Sequence, residues 1–339
     1  MSYKFNDLRL EKGMYNEHGG NFTETLERLD PSENYRGTPM EGLDAYQRQL
    51  KRFGIKARGA GSDIVEKFFT THESAVLFPE YVARSVRAGM EDQDILPNIV
   101  ASTTRFEGLD YRSIYSVPTE DERSLRLVAE GASIPQTEIR IRENLVRLHK
   151  RGRMLVASYE AIRFQRLDLF SVMLRQIGGQ IMRMHLDDAI GVLVDGDGNA
   201  NHAARLNSQS GSGNLSYSEL VTFWNEFDPY SMNTILAAPD VMVKLLSCPE
   251  FTNPLSGLNF PGTGEPGNPL GAKLIKTPAV DAGTLIGLDR GYALEMVCAS
   301  DVAVEYDRLI DRQLERAAIT SISGFSKLYT EASKVLTVV

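Results

Sequence analysis

The longest helical pattern in the chain lies between residues 165 and 195. Apolar residues recur three or four positions apart, the spacing of a helix face. They are Leu169, Phe170, Met173, Ile177, Ile181, Met184, Ala189 and Ile190. A helix of about 28 residues would run ~42 Å at 1.5 Å per residue. Because this exceeds the usual helix of a globular domain, the rest of the fold must be arranged along it.

Two adjacent glycines, Gly178 and Gly179, stand in the middle of this pattern. Each costs about 1 kcal/mol relative to alanine inside a helix. Two interpretations are open: close packing against another backbone, or a point at which the helix bends. Under the second interpretation, replacing both glycines by alanine would stabilise a straight helix.

The remaining patterns predict an α+β fold. Helical spacing is found at 42–53, 80–90, 216–227 and 239–247. Strand-like alternation or short apolar runs are found at 138–142, 154–158, 234–238, 273–276, 284–288, 294–297 and across 301–339. Helices and strands are thus mixed along the chain, with no internal repeat.

Residues 1–75 are polar and carry few apolar residues at a fixed period. Such a stretch is expected to lack a core of its own and to lie extended over another surface. A helix is predicted at 42–53. Within it and directly after it stand five cationic residues with no acidic residue between them: Arg48, Lys51, Arg52, Lys56 and Arg58. This run is either a solvated helix face or the part of an arm that contacts an anionic partner.

Residues 105–137 are predicted to form a long β-hairpin. Each leg would reach ~50 Å if fully extended. Nothing in 119–133 can bury such a hairpin on itself, and a two-stranded ribbon alone is marginally stable. We therefore expect it to rest on another surface.

Composition excludes several classes of protein. Hydrophobic residues make up 42% and charged residues 24% of the 339 residues, as in ordinary globular chains. No apolar run approaches the ~18 residues of a membrane-spanning helix, and the polar N-terminus has no signal-peptide pattern. Cys248 and Cys298 are far apart and have no CxxC partner, which argues against a disulfide framework or zinc site and favours a reducing cytoplasm. The net charge of −8 argues against a dedicated nucleic-acid binder.

Two loop motifs match binding patterns only in part. The run from Asp195 to Asn201 places oxygens as a calcium loop does, but Ala200 and Leu206 occupy the positions that require Gly and Glu. The run from Gly262 to Gly267 has dinucleotide-loop spacing, but it follows no predicted strand and opens no helix.

Catalytic patterns are also missing from the sequence. His185, Asp187 and Asp188 do not converge on one helix face, and the HExxH, GxSxG and P-loop motifs are absent. We therefore predict no catalytic, cofactor-binding or metal-binding residues and no cofactor. For a chain of this size, the result favours a structural or binding protein.

Several short motifs follow one another along the chain. They are Glu130-Gly-Ala-Ser-Ile-Pro-Gln-Thr-Glu138, Lys150-Arg-Gly-Arg-Met-Leu-Val-Ala-Ser-Tyr-Glu160, Asp187-Asp188 with Asp195-Gly-Asp-Gly198, Ala237-Ala-Pro239, and Asp311-Arg-Gln-Leu-Glu-Arg316 with Gly324-Phe325. In these motifs and in the order of its segments, the chain resembles the major capsid protein of tailed bacteriophages, which has the Hong Kong 97-type fold. The resemblance covers roughly 62–339.

The resemblance implies a division into an N-terminal arm, an E-loop hairpin, a P-domain with a long spine helix, and an A-domain. These are the arm at 1–75, the P-domain at 76–104, 138–212 and 301–339 with its spine helix at about 165–195, the E-loop at 105–137, and the A-domain at 213–300. It also implies hexamers and pentamers of an icosahedral phage head that encloses double-stranded DNA. The implied partners are further copies of the chain, a separate scaffolding protein, a portal, a possible decoration protein and non-specifically bound DNA, without a membrane. The expected location is the virion, after assembly in the host cytoplasm.

Some family features are not expected here. No lysine lies between Phe68 and His149, which excludes a cross-link through an E-loop lysine. With one short helix in the N-terminal segment, we expect a separate scaffolding protein or none, and a start at Met1 fits an uncleaved subunit. If Gly178-Gly179 is a bend point, the spine helix would bend in a procapsid and straighten during maturation.

Two alternatives stay open. An encapsulin-type nanocompartment has the same fold and holds protein cargo, although it usually lacks so long a polar arm. An unrecognised soluble α+β enzyme would form a small oligomer with a defined polar cleft.

Overall fold

The computed structural model describes residues 4–15, 22–108, 110–115, 127–128, 130–131, 134, 139–208, 215–253, 255–258 and 260–338. The chain divides into two compact units, each of which draws on three segments. Unit 1 comprises Met1–Gln93, Arg151–Met182 and Asp301–Ser321. Unit 2 comprises Asp94–Lys150, Arg183–Ser300 and Ile322–Val339.

The α-helices within the described residues are short, apart from one. They are α1 (Phe22–Leu29), α2 (Ala45–Arg52), α3 (His72–Val76), α4 (Phe78–Glu91), α5 (Tyr159–Arg163), α6 (Leu167–Asp195), α7 (Tyr217–Asn225), α8 (Pro239–Leu246), α9 (Pro249–Thr252) and α10 (Phe260–Thr263). The long helix predicted at 165–195 is confirmed and is α6. The helices predicted at 42–53, 80–90, 216–227 and 239–247 are also confirmed, and they are α2, α4, α7 and α8, respectively. None of the described helices combines the length and apolar content needed to cross a membrane.

Strands of the described residues form three sheets, so the α+β class is confirmed. The strands are β1 (Val100–Arg105), β2 (Ile114–Tyr115), β3 (Arg140–Ile141), β4 (His149–Ser158), β5 (Ala204–Asn207), β6 (Thr234–Ala237), β7 (Lys273–Lys276), β8 (Thr284–Leu288), β9 (Leu294–Leu309), β10 (Leu314–Lys327) and β11 (Ser333–Thr337). Their orders are β1-β9-β10-β4, β5-β11-β8-β6-β7 and β2-β3.

The five-stranded sheet lies within unit 2. Strand β6 is buried along its whole length, pairs in parallel with β7 and runs antiparallel to β8. Strand β11 joins the sheet antiparallel to β8 and parallel to β5. Pro239 starts α8 directly after β6, where its missing N–H costs no helical hydrogen bond.

In unit 1, α4 packs against the first half of α6 at unusually short distance. A Cβ atom added to Gly178 would lie 2.0 Å from the carbonyl oxygen of Val86, and one added to Gly89 would lie 2.1 Å from that of Arg175. Helix α6 is continuous through both of its central glycines. Close packing therefore explains Gly178, and the expectation that alanine there stabilises the helix is wrong, because the Cβ would collide with a backbone.

The N-terminal segment does not lie extended over another surface, which corrects the expectation from its composition. It folds into α1, α2 and short 3-10 helices, whose apolar residues join the core of unit 1. Buried members include Leu10, Met14, Phe22, Leu26, Tyr46 and Leu50. Each short helix contributes only one or two of these buried apolar residues, so the segment shows no single regular spacing of apolar residues.

A buried ion pair lies at the centre of this segment. The Arg48 side chain is fully buried, and its Nε donates to Oδ2 of Asp30 at 2.7 Å. The guanidinium also donates to the Leu43 carbonyl at 2.6 Å and lies 4.2 Å from the ring centroid of Tyr35. Arg48 is thus neither part of a solvated helix face nor available to an anionic partner.

Candidate self-association surfaces

The first half of α6 carries apolar residues on its exposed side. Leu169, Val172 and Met173 are 58%, 59% and 57% exposed, and we call these three residues the helix stripe. Leu174, on the opposite side of the helix, and Ile177, on a neighbouring side, are buried in unit 1. A helix that is apolar on more than one side is normally covered on each of them, so the helix stripe is a surface that the described residues of the subunit leave uncovered.

The segment that leads into α6 adds to the exposed apolar surface of unit 1. Alternate residues of β4 divide between two environments: Leu155 packs against the core, whereas Met154 and Val156 are exposed. Phe164, between α5 and α6, is 67% exposed. Soluble monomers rarely expose large apolar patches, so this concentration along one segment indicates a protein–protein contact.

A second apolar surface belongs to unit 2, on the ribbon formed by β2 and β3. Ile114 and Ile141 are directly opposite each other across the ribbon. Ile139 stands two residues before Ile141 and therefore shares its face. All three, which we call the ribbon isoleucines, are more than half exposed. The rest of the predicted hairpin at 105–137, including most of the motif Glu130–Glu138, lies largely outside the described residues.

Glu295 anchors the start of this ribbon. Its buried carboxylate accepts hydrogen bonds from the hydroxyls of Thr104 at 2.6 Å, Tyr111 at 2.7 Å and Ser113 at 2.6 Å. Burial and the bond to Glu295 raise the pKa of Tyr111, so the phenol stays protonated and keeps donating. The ribbon is thus fixed at its base, while its isoleucines are left uncovered.

The turn after α6, considered above as a calcium loop, uses its oxygens internally. Asp197 Oδ2 accepts from the Ser326 hydroxyl and the Lys327 backbone N–H, both at 3.0 Å, and Asn201 Oδ1 accepts from the Asp197 N–H at 3.0 Å. Burial would raise the pKa of Asp197, but hydrogen bonds and the nearby Arg142 outweigh it and lower that pKa. The turn therefore has a structural role, because its oxygens form hydrogen bonds within the subunit.

The other sequence candidates are dispersed. Nδ1 of His149 lies 3.1 Å from a carboxylate oxygen of Asp188, and His185 is buried. In the part of the chain that the structure describes, no three His, Cys, Asp or Glu residues are placed to hold a metal ion. The run from Gly262 to Gly267 begins inside the short helix α10 rather than after a strand, and neither cysteine forms a disulfide bond.

The sequence does not identify the helix stripe. Its helical spacing places Leu169 and Met173 on the same face as residues such as Ile177 and Ile181, which are buried. Periodicity shows which residues share a side of a helix, but it does not show which side another element covers. Val172 is the residue that could have indicated the stripe, because it extends the apolar surface of α6 beyond a single face of the helix.

Several solved structures have a similar fold. A virus-like particle from Pyrococcus furiosus matches with a TM-score of 0.52 and 14% identity, over 76% of this chain and 99% of that one. The capsid of a native GTA particle matches with a TM-score of 0.54 and 14% identity, over 72% and 90%. A structure described as Mycobacterium phage Che8 matches with a TM-score of 0.51 and 13% identity, over 68% and 85%. These likenesses define the fold as the Hong Kong 97-type fold of capsid shells.

No curated protein matches the sequence. The model of the phage capsid protein family matches residues 142–319, which is more than half of the chain, and the chain belongs to that family. It is a major capsid protein of a bacteriophage, a structural component of the virion rather than an enzyme. As a capsid protein it associates with copies of itself.

Proposed function

We propose that the chain assembles, as hexamers and pentamers, into an icosahedral phage head that encloses double-stranded DNA. The helix stripe carries this proposal. An apolar surface of this kind is stable in water only when other subunits cover it, as in obligate assemblies. The ribbon isoleucines provide a second surface of the same type.

The segments of the subunit take the following roles in the proposed shell. The spine helix of the P-domain, at about 165–195, corresponds to α6, and the A-domain at 213–300 supplies strands β6, β7 and β8 of the five-stranded sheet of unit 2. The E-loop at 105–137 contains β2 and ends shortly before β3. The N-terminal arm at 1–75 is folded against unit 1 through its buried apolar residues.

The proposed partners follow from charge and composition. A subunit with a net charge of −8 has no overall electrostatic attraction for DNA, so packaged DNA would be bound only weakly and non-specifically. Because an E-loop lysine cross-link is excluded by the sequence, the shell is held by non-covalent contacts, with a possible decoration protein. A separate scaffolding protein and a portal complete the proposed assembly, which takes place in the host cytoplasm.

Expression of the full chain in a bacterium, alone and with the scaffolding gene of the same phage, tests this proposal. Sedimentation velocity and negative-stain electron microscopy should show closed particles or rings of capsomer size. Monomers or dimers under both conditions would overturn it. Heads filled in the infected host should contain nuclease-protected DNA, whereas protein cargo in its place would favour the encapsulin-type alternative.

A pair of variants ties assembly to the helix stripe. Val172→Asp together with Met173→Asp should leave folded subunits, judged by circular dichroism, that no longer sediment as particles. Gln176→Asp is the matched control, because it adds a carboxylate at an exposed position of the same helix. Assembly of the double variant at wild-type yield would show that the stripe is not an interface.

A further inference from the structure

A cleft of about 580 Å³ opens on unit 1. Its walls come from α2 and the loop that follows it, from α4, and from the first half of α6. This volume is typical of sites that bind a ligand or a peptide side chain. The cleft belongs to one unit of one subunit and is separate from the helix stripe and the ribbon isoleucines.

Positive charge is concentrated around this cleft, and its described lining contains no carboxylate. The cationic residues are Lys51, Lys56, Arg58, Arg84 and Arg175. Arg84 is neutralised by Asp44 at 2.7 Å and Glu80 at 3.0 Å. Lys51, Arg58 and Arg175 are exposed, and none of these three forms an ion pair with the described residues. A chain with a net charge of −8 thus leaves three unpaired cations at one opening.

The floor of the cleft is apolar. Leu50 and Ile55 line it and are buried, as are the rings of Tyr46 and Tyr81. Both tyrosine hydroxyls are already used within unit 1: Tyr46 donates to the Leu77 carbonyl at 3.2 Å, and Tyr81 donates to a backbone carbonyl of α6. The floor therefore offers apolar contact rather than further hydrogen bonds.

We propose that this cleft binds an acidic segment of a partner protein that carries at least one large apolar side chain. The apolar side chain would fill the floor, and flanking carboxylates would pair with Lys51, Arg58 and Arg175 at the rim. Complementary charge of this kind selects the partner and speeds its association. The phosphates of a DNA duplex would reach the rim but leave the floor empty, and the buried tyrosine rings give bases nothing on which to stack.

Fluorescence anisotropy of the full-length chain tests the proposal with a short labelled peptide of repeating Glu-Glu-Leu units. The wild-type chain should bind this peptide. Lys51→Glu together with Arg175→Glu should weaken binding about tenfold or more, because like charges then face each other. Arg28→Glu together with Arg36→Glu is the matched control: it makes the same charge change at two exposed positions of unit 1 outside the cleft and should bind like the wild type.

Two further probes separate this proposal from plain charge attraction. A Glu-Glu-Ser peptide of equal length should bind much more weakly, because nothing fills the apolar floor. Because a short DNA duplex reaches only the rim, it should displace the labelled peptide much less well than unlabelled Glu-Glu-Leu peptide does. Absence of peptide binding, equal affinity in the charge-reversal and control variants, equal binding of the serine peptide, or displacement by the duplex as strong as that by the unlabelled peptide would each overturn the proposal. The assay measures binding per subunit, so its outcome is independent of shell formation.

Discussion

The N-terminal segment and the β2–β3 ribbon both lack a sequence pattern that builds a hydrophobic core of its own, but they differ in how far their apolar residues are buried. In the N-terminal segment, Phe22 and Leu26 are nevertheless buried almost completely within unit 1. In the ribbon, Ile114 and Ile141 pair with each other and stay exposed.

The difference in burial depends on how many helices or strands each segment has available for packing. The N-terminal segment has several short helices that pack around the Arg48–Asp30 ion pair and against the helices of unit 1. The described part of the ribbon has two short strands and one apolar face, and two strands alone cannot bury that face. The first segment therefore completes a subunit, whereas the second requires another one.

The largest expected effect comes from breaking the ion pair of the N-terminal segment. Arg48→Ala should lower the free energy of unfolding by about 3–5 kcal/mol, because it leaves the buried Asp30 carboxylate without its cationic partner. Urea denaturation of the full chain measures this change. Arg36→Ala, at an exposed position of the same segment, should stay within about 0.5 kcal/mol of the wild type. Equal losses in the two variants would show that the segment does not depend on its ion pair.

The next effect concerns the helix crossing on which the N-terminal segment packs. Gly178→Ala should lower the free energy of unfolding by about 1–3 kcal/mol, because the added Cβ collides with the backbone of α4. Gly191→Ala, where the added Cβ meets nothing within 4 Å, should instead gain up to about 1 kcal/mol. Thermal denaturation compares the two. A gain at both positions would restore the interpretation of Gly178 as a bend point.

A third variant loosens the anchor of the ribbon. Glu295→Ala removes the acceptor of three hydroxyls and should cost about 1–3 kcal/mol. Limited proteolysis followed by mass spectrometry should also detect faster cleavage between residues 110 and 115. Glu305→Ala is the control, since Glu305 is exposed on the same strand, β9. Unchanged proteolysis in Glu295→Ala would mean that other contacts hold the ribbon.

The smallest effect on subunit stability should come from the ribbon isoleucines. Ile139→Ser together with Ile141→Ser should change the free energy of unfolding by less than about 0.5 kcal/mol, because both side chains are already exposed. Assembly, measured by sedimentation velocity, should nevertheless be impaired. Glu143→Ser, at an exposed position just beyond the ribbon, should assemble normally. A large loss of stability in the isoleucine variant would place these side chains in the core of the subunit.

Local patterns predicted the regular elements well. Helix α6 was evident from its spacing and β6 from its apolar run, and Pro239 marked the start of α8. These features depend on neighbouring residues alone, so the sequence displays them directly.

Long-range burial could not be predicted in the same way. Nothing near Arg48 marks it as buried, because its partner Asp30 lies 18 residues earlier, directly after α1. The sequence likewise grouped Met173 with residues that are buried in unit 1. Which side of α6 is covered depends on α4 and on other subunits, and neither is encoded in the local spacing.

The central claim is that the exposed apolar surfaces of the subunit are covered by other copies of the chain. Hydroxyl-radical labelling with mass spectrometry, applied to isolated subunits and to assembled particles, tests it most directly. Met173, Ile139 and Ile141 should be labelled strongly in subunits and protected in particles, while the buried Leu174 should stay unlabelled in both. Equal labelling of Met173, Ile139 and Ile141 in the two states would contradict the account.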